Sequence, residues 1–155
     1  MTIEELVNKV TPRIAIGDFD SALTQLLRLM MGEGEEIVSY YYKAGKFTYD
    51  EGSIKMDQPD TLCILTKDRI YKIDIQIEDE DQQAFQAESH PLADITSYNI
   101  DAAIMRDSFE GSSWLALRSF SLTFQNGKRI ELYCDKTTES NPLQEFAISV
   151  LQQIR

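Results

Sequence analysis

Phe120, Leu122 and Phe124 alternate with polar residues on one side of Asn126-Gly127, and Ile130, Leu132 and Cys134 alternate on the other. Period-two alternation on both sides of a turn dipeptide marks an antiparallel hairpin with one buried face. The usual two-residue Asn-Gly turn would pair Phe124 with Arg129 and Leu122 with Glu131, setting apolar against polar. A three-residue loop, Gln125-Asn126-Gly127, instead pairs Leu122 with Ile130 and Phe120 with Leu132. It also gives Gly127 the left-handed position such a loop needs. The three-residue loop is therefore expected. Upstream, Leu115 and Leu117 lie on the opposite parity from Phe120, which predicts a β-bulge near Arg118-Ser119.

A second hairpin is written between residues 61 and 77. Leu62 and Ile64 precede Thr66-Lys67-Asp68-Arg69, and Tyr71, Ile73, Ile75 and Ile77 alternate beyond it. A two-residue turn at Lys67-Asp68 sets Ile64 opposite Tyr71 and Leu62 opposite Ile73, so the apolar sets share a face. Ile37–Tyr42 has high strand propensity, with Lys43-Ala44-Gly45-Lys46 as a turn into Phe47-Thr48-Tyr49. A short helix ending at Gly45 is the competing reading. Glu78–Gln83 reads as an exposed acidic break, Asp94–Ile104 as a further strand and Asp107–Ser113 as a loop.

Helices flank these strands. Thr2-x-x-Glu5 is a capping-box pattern, followed by Ile3, Leu6, Val7 and Val10 at helical spacing and closed by Thr11-Pro12. Asp18 is a good N-cap for a second helix with Phe19, Ala22, Leu23, Leu26, Leu27 and Met30 on one stripe, stopped by Gly32 and Gly34. Asn141 caps a third, with Pro142 in its first turn and Leu143, Phe146, Ala147, Val150, Leu151 and Ile154 along one face. The expected architecture is α+β and a single domain over 1–155. It comprises an N-terminal helical layer at 1–34, then sheet and closing amphipathic helix at 35–155.

The chain has 26 Asp+Glu against 15 Lys+Arg, a formal net charge of −11. That balance argues against a nucleic-acid binder, whose affinity comes from cations neutralising phosphates, and against docking on anionic lipid. The excess is regional. Residues 1–57 hold 10 acids and 6 bases, residues 58–110 hold 12 and 4, and residues 111–155 hold 4 and 5. No apolar run approaches the ~20 residues of a membrane span. Acids follow Met1 where a signal peptide would carry Lys or Arg. A cytoplasmic location and no membrane insertion are the expectations, with Cys63 and Cys134 as reduced core thiols.

Thr61–Ile73, an apolar strand ending in Thr, a short polar turn, then Arg and a second apolar strand, resembles the strand–turn–strand of bacterial pleckstrin-homology-like domains. Pro91–Tyr98 is similar to their following strand, and Trp114–Arg155 to their closing hairpin and helix. The overall character is similar to small proteins of Bacillus-type bacteria and their phages. The resemblance covers roughly residues 35–155 and implies a partly open antiparallel barrel plugged by the last helix, used mostly for binding. The two leading helices depart from the family pattern.

Candidate chemistry is sparse. His90, the only histidine, precedes Pro91 and reads as an exposed turn residue rather than a catalytic base. Glu78–Asp81 carries the carboxylates that Ca²⁺ favours, without the spacing of a loop that wraps the ion. Gly32-Glu33-Gly34 begins like a dinucleotide fingerprint, but follows a helix and carries acids that repel a pyrophosphate. Tyr40-Tyr41-Tyr42, with Phe47 and Tyr49, is the most distinctive aromatic group. Tyr41 should face opposite to its neighbours, one side to core and the other open to a protein partner. Lys43 and Lys46 lie where pleckstrin domains of eukaryotes hold a phosphoinositide headgroup, but two lysines are too few to carry that role. The expected function is a non-enzymatic binding module acting on a protein partner or a second copy. No catalytic residue, cofactor or metal site is expected. A small acidic inhibitor or immunity protein directed at a basic enzyme is the alternative.

Overall fold

The computed structural model describes residues 1–79, 82–139 and 141–155. The chain is α+β with antiparallel sheets, and it divides into two units, Met1–Ser89 and His90–Arg155.

In the first unit, α1 (Ile3–Val7) starts where the Thr2 hydroxyl accepts from the Glu5 N–H, and α2 (Phe19–Met30) where Asp18 accepts from the Ser21 N–H. Helix α1 stops at Val7, short of the Thr11-Pro12 boundary that the sequence predicts. Its end tightens through Lys9 N–H to Leu6 O and Val10 N–H to Val7 O, three-residue bonds that curl the chain and still bury Val10. Strands β1 (Ile37–Lys43), β4 (Asp60–Thr66), β5 (Arg69–Asp79) and β6 (Gln82–Pro91) form a sheet in the order β1-β4-β5-β6. The pairs Ile64–Tyr71 and Leu62–Ile73 have the expected register. One sheet face offers Ile37, Leu62, Ile64, Tyr71, Ile73 and Ile75 to Leu6, Val7, Val10, Phe19, Leu23 and Leu27. The helices therefore share a core with the sheet, because neither apolar stripe could stay in water. Cys63, Leu65 and Ile70, on the opposite face, are equally buried.

Residues 37–43 are strand, as favoured, and Lys46–Asp50 (β2) continues the extended chain. β2 pairs with β3 (Ser53–Gln58) across Glu51-Gly52, both with positive φ, a separate two-stranded hairpin. The acidic break at 78–83 is narrower than expected. β5 runs through Asp79 and β6 begins at Gln82, while residues 80 and 81 lie outside the described residues. Gln83 is half-buried because its side chain donates to Ile14 O and accepts from Ile16 N–H.

In the second unit a 3-10 turn (Leu92–Asp94) leads into β7 (Ile95–Arg106), β8 (Ser113–Phe124), β9 (Arg129–Tyr133) and α3 (Pro142–Ile154). The order is β7-β8-β9. Leu122 pairs with Ile130 and Phe120 with Leu132, and Gly127 has φ +83° in the three-residue loop. Asp101 pairs with Ser119 while Ala102 pairs with Leu117, which leaves Arg118 as the extra residue of the expected bulge. Leu115 and Leu117 thereby join the face of Phe120 and Leu122. Leu143, Phe146, Ala147 and Val150 of α3 are buried, and the helix packs on β8.

Candidate functional site

Strand β7 combines an open edge with an apolar face. Among the described residues it is hydrogen-bonded to β8 on one side only, so its outer edge presents unsatisfied backbone N–H and C=O groups. Tyr98, Ile100, Ala102 and Ile104 share the face of Leu115, Leu117, Phe120 and Leu122 through direct cross-strand pairing. Buried Asn141 fixes where the cover on that face begins. Its side-chain amide donates to Leu117 O at 3.0 Å, and its oxygen accepts from Gln144 N–H at 2.9 Å, capping α3. Leu115 lies one pleat beyond that anchor. Ile104 is 80% exposed, Leu115 53%, Ile100 50% and Tyr98 46%, and Phe109 in the connecting loop is 97% exposed. The opposite face carries the Asp101–Arg118 pair at 2.7 Å and the Arg129–Glu131 pair at 3.1 Å. Trp114, also on that side, donates its indole N–H to Thr137 O at 2.6 Å. One face thus carries ion pairs, while the other runs apolar to an uncovered end.

The remaining polar clusters are fastenings. The Glu35 carboxylate accepts from Tyr71 Oη at 2.6 Å, Thr66 Oγ1 at 2.8 Å and Gly32 N–H at 2.9 Å. Burial pushes its carboxyl up, but these hydrogen bonds and the Arg69 charge outweigh that and hold it below the usual carboxylate range. Burial together with the neighbouring carboxylate pushes the Tyr71 phenol up. Buried Asp60 accepts from Tyr42 Oη and from Gly45 N–H, both at 2.6 Å, tying the β1–β2 turn to β4. A cleft of about 890 Å³ is lined by Glu4, Glu5, Glu33, Glu35 and Glu36, with Arg28 on its wall. Arg28 is ion-paired with Glu4.

His90 is a correction. It is buried at the end of β6, stacked on Phe124 with ring centroids 4.1 Å apart, because a residue before proline is held extended and continues the strand. Tyr41 is buried and faces opposite to Tyr40 and Tyr42, as expected, but those two pack against the helical core rather than standing open. Tyr49 is the exposed member, set edge-on to Phe47 at 5.5 Å on the β2–β3 hairpin. Lys43 and Lys46 lie at the turn between β1 and β2. Cys63 is buried and Cys134 partly buried, both as free thiols, and burial pushes the Cys63 thiol up. Among the described residues no group of three or more His, Cys, Asp or Glu side chains could hold a metal ion, and no helix is long and apolar enough to cross a membrane.

Sequence reasoning placed the strand at 94–104 without assigning it a role. The signal was present in the even-numbered Tyr98, Ile100, Ala102 and Ile104, but an edge is defined by the neighbour a strand lacks. No family model matches the chain, and no curated protein matches it significantly.

Proposed function

We propose that the protein is a non-enzymatic, cytoplasmic binding module of pleckstrin-homology-like fold that acts through protein–protein contact at the β7 edge. The observation carrying this reading is the apolar face of β7, left uncovered at Ile104 beside an unpaired backbone edge. Such an edge binds extended chain through main-chain hydrogen bonds, with alternate side chains giving specificity. Support for the family comes from the Thr61–Ile73 hairpin in its expected register and from antiparallel strands followed by an amphipathic helix. Free thiols at Cys63 and Cys134 suit a reducing compartment.

The test is affinity capture from lysate containing a differently tagged second copy of the chain, with Ile104→Asp in parallel. A polypeptide retained by the native chain and lost by Ile104→Asp is the expected result. Equal retention by both, or retention by neither, sinks the reading.

Charge favours a second reading, the acidic inhibitor. Residues 1–89 hold 18 acids against 9 bases, and five glutamates line the cleft in that unit. This reading expects a basic partner that is released by salt and is indifferent to Ile104→Asp.

A further inference from the structure

We infer that the occupant of the β7 edge is the β7 edge of a second copy, paired antiparallel about a two-fold axis through Ala102. This rests on the binding-module reading and names its partner.

The register follows from the strand itself. In a two-fold antiparallel pair, residues whose numbers have an odd sum would set the apolar face of one copy against the polar face of the other, so only even sums survive. A sum of 202 sets Asp101 against its own copy, two carboxylates at the axis. A sum of 200 sets Ile104, the most exposed apolar residue of the strand, opposite Thr96. Thr96 is the irregular residue, since Ile95 pairs with Phe124 and Ser97 with the adjacent Thr123. A sum of 204 uses Tyr98–Arg106 in both copies, a stretch in which β7 itself carries no extra residue, since the bulged residue opposite Asp101 and Ala102 is Arg118 of β8. Ile100 then meets Ile104, Tyr98 meets the cation of Arg106, and Asp101, already held by Arg118 on the other face, meets Ala103.

Charge allows the approach. Residues 90–155 hold 8 acids and 6 bases, whereas residues 1–89 hold 18 and 9, so the pairing strand belongs to the nearly neutral unit. The pairing stretch also lacks the side chains that protect edges. Between Ile95 and Met105 there is no Pro or Lys, and the single charge, Asp101, lies on the face away from the apolar one.

The experiment is sedimentation equilibrium of the full chain, native and Ile104→Asp, together with oxidative cross-linking of Ala102→Cys in a Cys134→Ser background. Ile104 is exposed enough that its variant should keep the native circular dichroism spectrum, which serves as the folding control. The expected native species has twice the 17.8 kDa chain mass. Ile104→Asp should weaken it about 100-fold, since one carboxylate enters each of the two symmetry-related Ile100–Ile104 contacts. Ala102→Cys should form a disulfide dimer, because directly opposed Cα atoms lie about 4.5–5.5 Å apart. Asn99→Cys in the same background should not, being opposite Met105. A monomer at every concentration overturns the inference. So does a dimer indifferent to Ile104→Asp, or cross-linking equal at positions 99 and 102. A monomer that still captures a different protein through Ile104 leaves the binding-module reading intact, which separates the two failures.

Discussion

Two residues decide more than their size suggests. Gly45 passes so close to the Gln58 carbonyl and the Pro59 backbone that a Cβ would overlap both, while its N–H is taken by buried Asp60. Gly45→Ala should therefore lower stability by about 2–3 kcal/mol, the upper part of the range for overpacking because the clash is with backbone, read as a fall in urea midpoint. Glu35 makes a different prediction. Its carboxyl is held below the usual range in the folded chain, so its contribution is full above the unfolded value near 4.5. That contribution is lost as pH falls through the lower folded value. Urea midpoints measured on the acid side should fall less steeply for Glu35→Gln than for the native chain. An unchanged slope would mean that Tyr71, Thr66 and Gly32 do not hold the carboxylate.

At the scale of elements, Asn141 is the joint between helix and sheet. Removing its side chain uncaps α3 and strips a buried hydrogen bond from Leu117 O, so Asn141→Ala should cost about 2–3 kcal/mol in chemical denaturation. Loss of only a few tenths would show that water replaces it. Elements with alternating apolar residues were legible in advance, since the parity of residues 62–77 and 115–134 determined both turns and the bulge. Strand β6 was not, because Gln82–Pro91 carries few apolar residues and has its place through β5 and the Gln83 bonds to Ile14 and Ile16. The β2–β3 hairpin did leave a trace, Glu51-Gly52 between Phe47, Tyr49 and Ile54, Met56. The open edge was illegible because pairing partners are a non-local property.

For the whole molecule, charge is the governing quantity. With −11 in all and most of it in residues 1–89, self-repulsion opposes folding at low salt. Raising ionic strength from about 0.02 to about 0.5 M, where the Debye length shrinks to a few ångströms, should raise the thermal midpoint. The same change should tighten pairing of two copies and loosen any complex with a basic partner. One titration thus separates the two kinds of association.

The bulge at Arg118 has a consequence for how the gene tolerates change. A substitution there exchanges one exposed side chain and its surface pair with Asp101, and should be nearly silent. Deleting the codon shifts the phase of everything upstream in the strand. Leu115 and Leu117 would emerge on the outer side, and Trp114 and Ala116 would turn toward the helix. Position 118 therefore serves as a spacer whose presence matters more than its chemistry.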